Sequence, residues 1–157
     1  MTPCVLHQKS LNEKQKNAVS KLWNAEYPDG LTYKDHNEFN EFLKDLRNKH
    51  HILMNTRNQK LMGWCCIFDR DGERWFSIIV DGAFQGHGFG KRLLSLAKEH
   101  EEELNGWVVD HDNHVKVNGE VYKSPLMFYE KNGFRVLKDF RFNRSNISAV
   151  KIRWTKV

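Results

Sequence analysis

Apolar and polar positions along the chain change period several times, and each change marks an element. Cys4 to His7 reads as a short first strand. Ser10-Leu11-Asn12-Glu13 has the form of a capping box, with Ser10 as N-cap and Glu13 three residues on. The helix it opens carries Leu11, Gln15, Ala18, Val19, Leu22 and Trp23 on one face, and Pro28-Asp29-Gly30 ends it. Asp35 and Glu38 repeat the box before a second apolar stripe, Phe39, Phe42, Leu43 and Leu46. The period then drops to two. Strands are predicted over 51–55, 61–68 and 75–80, joined by a turn at 57–60 and by Arg70-Asp71-Gly72-Glu73, whose Asp-Gly pair is a hairpin signal. Together they make a three-stranded antiparallel meander. Gly63, inside the middle strand, marks a bulge or a close backbone approach.

Helical spacing returns at Leu93, Leu94, Leu96, Ala97, His100 and Leu104, with Lys98, Glu99 and Glu101 to Glu103 facing water and Asn105-Gly106 as the stop. Trp107 to Asp110 is the next strand. Because it follows a strand and a helix, it belongs beside strand 75–80 and parallel to it. Val115 to Tyr122 alternates around Asn118-Gly119, a small hairpin. Ser124 as N-cap and Pro125 at the first helical position open a short helix that stops at Gly133. Two strands, over 135–142 and 147–154, close the chain around an Asn143-Arg144-Ser145-Asn146 turn.

Length and composition narrow the class. The 157 residues, 39% hydrophobic and 29% charged, read as one soluble globular domain over 1–157. The net charge of +5 would suit nucleic acid, but the cations are interleaved with acids and form no run, so no nucleic-acid partner is expected. No apolar stretch is long enough to span a bilayer or to form the core of a signal peptide, so no membrane association is expected. Cys4, Cys65 and Cys66, odd in number with an adjacent pair on a strand, read as reduced thiols in the cytoplasm.

The chemistry concentrates at 75–94. Strand 75–80 is apolar on both faces, which suits a central position. Gly86, Gly88 and Gly90 then alternate into the start of a helix. Glycine admits positive φ and lets backbone N–H groups approach a ligand, and the free donors and positive dipole end of the helix face the same spot. Lys91 and Arg92 add two cations. The loop is a phosphate cradle. It is not a Walker loop, because Gly86 and Gly90 enclose three residues instead of four, and the dinucleotide G-x-G-x-x-G spacing also fails.

Gln85-x-x-Gly88-x-Gly90 resembles the (Arg/Gln)-x-x-Gly-x-(Gly/Ala) motif of the GNAT superfamily of acetyl-CoA-dependent N-acetyltransferases. Phe128-Tyr129-Glu130-Lys131-Asn132-Gly133-Phe134 resembles that family's Tyr-x-Lys-x-Gly-Phe signature. The two stand in the family's order, and the resemblance covers 75–154 closely and the first half only in its order of elements. It implies a mixed, mostly antiparallel α/β (α+β) sheet with helices on both faces. It also implies that Gln85, Gly86, His87, Gly88, Phe89, Gly90 and Lys91 bind the pyrophosphate of coenzyme A, while Ile78, Ile79 and Val80 pair with the pantetheine. Acetyl-CoA is then the cosubstrate. A primary amine of a small molecule or peptide attacks its thioester directly, the Val80 N–H steadies the oxyanion, and Tyr129 acts as general acid. The alternative is a non-catalytic acyl-CoA sensor on the same fold; a homodimer is possible.

The general base is not legible, and Asp110 and His111 are the candidates. Asp110-His111-Asp112-Asn113-His114 has no ligand spacing that fixes a metal, and none is expected. The chain departs from the family pattern at Tyr122, where an asparagine is common, and at Pro125, where an alanine is common. The Asn113-to-Lys123 insertion is unusual. Its ends are tied to the expected reacting centre, so it reads as a flap over the acceptor side. Asp110, Asp112 and Glu120 in or beside it would favour a cationic acceptor.

Overall fold

The alternating segments pair into a seven-stranded mixed sheet in a computed structural model that describes residues 2–144 and 146–157. The strands are β1 (Cys4–Gln8), β2 (Arg47–Asn55), β3 (Leu61–Arg70), β4 (Glu73–Val80), β5 (Glu103–Val108), β6 (Arg135–Arg144) and β7 (Ile147–Thr155). Their order is β1-β2-β3-β4-β5-β7-β6, and every neighbouring pair is antiparallel except β4 and β5. The helices are α1 (Glu13–Glu26), α2 (His36–Asp45), α3 (Phe89–Lys98) and α4 (Leu126–Lys131).

The period-two pattern sorts the core into two layers. Leu53, Trp64, Cys66, Phe68, Trp75 and Ile79 pack with α1 and α2 through Val19, Leu22, Trp23, Phe39 and Leu43. Ile52, Met54, Cys65, Ile67 and Phe76 face the other way, onto Leu93, Leu94 and Ala97 of α3 and Tyr129 of α4. The sheet is therefore covered on both faces, as the apolar residues on both faces of β4 require. Gly63 is a close approach. A side chain there would bring its Cβ within 2.8 Å of Leu93 Cδ1, where α3 rests on β3. The Asp71-Gly72 turn takes φ of 52° and 74°, the left-handed pair that a tight hairpin demands.

Three expectations need correction. The N-cap of α1 is Asn12, not Ser10: Asn12 Oδ1 accepts from Gln15 N at 2.8 Å and Gln15 Oε1 accepts from Asn12 N at 2.9 Å, so the box is formed two residues later. At α2, Asp35 does cap Glu38 N at 3.0 Å, but the Glu38 carboxylate accepts from Lys34 N. The third is larger. Helix α3 ends at Lys98, and Leu104, Asn105 and Gly106 lie within β5. Asn105 is fully buried there, donating to the Arg74 carbonyl at 3.0 Å and accepting from Arg153 Nε at 2.7 Å. Gly106 faces Phe76, whose Cε1 would lie 2.9 Å from a Cβ. The pair that reads as a helix stop is a buried amide clasp beside a contact that only glycine allows. The final turn includes Ser145, which lies outside the described residues.

Candidate active site

Strands β4 and β5 pair only at Trp75 and Asn105, and beyond that point a gap opens in the sheet. The ladder fixes which backbone groups face it. Asp81 N donates to Met62 O at 2.8 Å, so in the antiparallel alternation Ile79 and Ser77 also bond to β3, while the N–H groups of Ile78 and Val80 point towards the gap. The Val80 carbonyl is already taken: the Gln85 side-chain amide donates to it at 2.8 Å, tying the loop back to the end of the strand.

The loop follows directly. After one 3₁₀ turn at Gly82–Phe84, Gly86 and Gly88 sit at φ of 81° and 85° with open space where a Cβ would project. Gly88 is the N-cap of α3 and offers no side chain to its free N–H groups, and the first turn carries no acid. These donors and Lys91 line one side of a cleft of about 610 Å³. Gln85, Gly86, Gly88, Gly90, Ile78, Ile79 and Val80 line it too; the side chains of His87 and Phe89 do not. His87 is exposed, and Phe89 packs against Phe84.

A second cavity of about 690 Å³ opens on the α1–α2 side, walled by Trp23, Tyr33, Trp75, Trp107 and Phe142. The two cavities share Tyr27, Ile78, Trp107, Tyr122 and Tyr129, so they meet through the gap. Tyr129 is buried, held edge-on by Phe76, Phe128 and Phe134 with ring centres 5.7, 5.2 and 5.5 Å away. Burial pushes its phenol well above the usual range, and the neighbouring Tyr27 and Tyr122 add to this. Burial raises Tyr122 to about 12. All three phenols therefore keep their protons at neutral pH. A buried tyrosine with a protonated hydroxyl stands where the two chambers join.

The proposed base residues are elsewhere. Asp110 accepts two hydrogen bonds from Arg141, at 2.9 and 3.0 Å, which hold its carboxyl below the usual range, and neither it nor His111 lines either cavity. His111 Nδ1 accepts from Asn113 N at 3.2 Å, and its ring lies 4.9 Å from that of His114. Among the described residues no three His, Cys, Asp or Glu side chains are grouped to hold a metal ion.

The insertion also differs from its expected place. It does form a hairpin, with a Val115–Val121 bridge, but Lys116, Glu120, Val121 and Lys123 line the glycine-loop cleft and only Tyr122 reaches both cavities. Val115 O accepts from Asp29 N at 2.9 Å and Lys116 pairs with Glu26 at 3.2 Å, so the hairpin is strapped to the end of α1. Glu26 also accepts from Gly82 N at 2.9 Å. Sequence spacing offers no sign of Glu26 or Tyr27 beside these cavities, because their places depend on where α1 ends in space, whereas Tyr122 stands at a position where the family pattern commonly has an asparagine.

A family model described as an acetyltransferase (GNAT) domain matches residues 48–136, more than half of the chain. No curated protein matches the sequence. Among solved structures, the fold is similar to an acyl-CoA N-acyltransferase from Pseudomonas aeruginosa (TM-score 0.67, 14% identity, covering 98% of this chain and 100% of that one). It is also similar to an aminoglycoside 6'-N-acetyltransferase complexed with coenzyme A (0.68, 13%, 97% and 96%) and to the aminoglycoside 6'-N-acetyltransferase from Enterococcus faecium (0.66, 14%, 97% and 96%).

Proposed function

The chain belongs to the GNAT acetyltransferase family, an acetyl-CoA-dependent enzyme class, and on that premise we propose that it acetylates a primary amine by direct attack, with Tyr129 as general acid. The observation that carries the reading is the position of Tyr129, buried at the junction of the glycine-loop cleft and the aromatic chamber. Acetyl-CoA supplies the thioester; the chain's own groups orient it and manage charge. The uncapped start of α3, Gly86, Gly88 and Lys91 take the pyrophosphate, and the gap-facing N–H groups of Ile78 and Val80 offer strand-like pairing to the chain between pyrophosphate and thioester. The Val80 N–H steadies the oxygen on which charge develops.

The amine enters from the aromatic chamber as the free base. Its nitrogen bonds to the carbonyl carbon, the carbon–sulfur bond breaks, and Tyr129 gives its proton to the departing sulfur. The extra proton on nitrogen leaves to water, and Tyr129 is reprotonated. Asp110, committed to Arg141, is not the base in this scheme. The buried, unbonded thiols of Cys65 and Cys66 suit a reducing compartment such as the cytoplasm. The test is to incubate the protein with acetyl-CoA and a panel of primary amines, following thiol release and acetylated product by mass spectrometry. Acetyl-CoA binding with no amine acetylated would replace the enzyme by a sensor.

A further inference from the structure

The charge in the aromatic chamber defines what it can hold. Arg70 lines it with a half-buried guanidinium that lies 5.0 Å from the Phe68 ring centre and 5.1 Å from that of Trp75. Among the described residues its guanidinium has no side-chain hydrogen-bond partner. Desolvation lowers its pKa, and the charges of the neighbouring Asp71 and of Tyr33 offset this only in part. Trp75 beneath it is buried, and its indole N–H also lacks an acceptor among the described residues. Arg144 stands on the same chamber and, with Arg70, draws down the Tyr33 phenol that burial raises to about 12. The carboxylates on the rim are less available. Glu38 and Asp71 are exposed, and Glu38 is engaged by the Lys34 N–H.

We propose that the acceptor is an elongated arylalkyl amine with an anionic group at the end remote from its nitrogen. This rests on the reading of the site as an amine acetyltransferase. The aromatic walls take the ring, and Arg70 takes the anion through charge-assisted hydrogen bonds. The strand sets the length. Arg70 lies over Trp75, and Ile78, where the chambers meet, is three residues further along β4, roughly 10 Å at 3.3 Å per residue. An α-amino acid, whose amine and acid share one carbon, is too short to reach both. A cationic acceptor, which the acids of the insertion suggested, would meet Arg70 instead.

The probes are 4-(2-aminoethyl)benzoate and its methyl ester, alike in ring and amine and different in charge. Binding is read by quenching of the chamber tryptophans with coenzyme A present, and turnover by thiol release. The acid should bind and turn over at least about tenfold better than the ester. Arg70→Gln should bring the acid-to-ester ratio close to one, and Arg70→Lys should recover part of it. Equal performance of acid and ester with the unmodified protein overturns the inference and needs no variant to fold. If the acid binds in an Arg70-dependent way but no amine is acetylated, the acceptor chamber stands and the enzyme reading falls. If amines are acetylated with no preference for the acid, the reverse holds.

Discussion

Arg141 grips Asp110 with two hydrogen bonds, 2.9 and 3.0 Å long, so the carboxylate that the sequence offers as a base is already paired. Loss of a true general base costs on the order of a hundred-fold or more in kcat, so Asp110→Asn, with an expected change of about twofold or less, separates the roles. The pH dependence of stability gives a second check. The Asp110 pKa is depressed by Arg141, so its contribution is complete above the unfolded carboxyl value and lost as pH falls through the lower folded one. The variant and the parent should therefore differ slightly at neutral pH and converge in acid. A kcat collapse in Asp110→Asn with an intact fold would return Asp110 to the chemistry.

Tyr129→Phe keeps the ring among Phe76, Phe128 and Phe134 and removes only the hydroxyl. We expect kcat to fall roughly ten- to a thousand-fold with little change in the acetyl-CoA KM. Because burial holds the phenol well above its ordinary value, kcat should rise as the amine deprotonates and show no downturn below about pH 10. Full kcat in the variant, with chemistry rate-limiting, would mean that water protonates the sulfur.

Gly88→Glu and Gly88→Ala divide the glycine's two roles. Both force a side chain onto φ of 85°, a strain of about 1–2 kcal/mol. Nothing lies within 4 Å of a Cβ there, so neither should clash inside the protein. Only the glutamate sets a negative charge against the loop's donors. Calorimetry should therefore show coenzyme A binding weakened in the alanine variant and abolished in the glutamate one. Equal affinities in the two would leave no anion at this loop.

Much of this fold is local in origin, and that part is legible. The meander follows from period-two runs and an Asp-Gly turn, and the cradle from glycines at fixed offsets. Tyr129 stands out by its place before Lys131, Gly133 and Phe134. What misleads is any signal with two physical uses. Asn105-Gly106 is a common helix stop, yet Asn105 is a buried clasp between Arg74 and Arg153, and the absent side chain of Gly106 admits Phe76. Nothing local in Glu26 or Arg70 tells that one lines the glycine-loop cleft and the other the aromatic chamber. Both are brought there by contacts across many residues of chain.

That reading of Gly106 is itself testable. Gly106→Ala would set a methyl 2.9 Å from Phe76 Cε1, and the Phe76 ring has Tyr129 and Phe134 on its other sides. Overpacking of this kind costs about 1–3 kcal/mol. The melting temperature should fall, and kcat should fall with it as Tyr129 is displaced. An unchanged melting temperature would mean that Phe76 moves aside freely.

The strap gives the last prediction. Lys116 pairs with Glu26 at 3.2 Å, and both line the cleft in which we propose that the pyrophosphate binds. Without Lys116, Glu26 would keep only the Gly82 N–H and a long contact from Gln85, leaving much of its negative charge facing an anionic ligand. Lys116→Ala should therefore raise the acetyl-CoA KM by roughly tenfold, worth about 1.4 kcal/mol, and move the amine KM much less. Glu26→Gln in the same chain should recover most of that loss, since the repelling charge is gone. The coupling between the two changes measures the pair directly. Replacing 115–121 by a Gly-Ser linker, with Tyr122 kept, should act in the same direction as Lys116→Ala and more strongly. If the linker variant instead raises the amine KM and spares that of acetyl-CoA, the insertion serves the acceptor after all, and the Glu26–Lys116 pair is only a fastening.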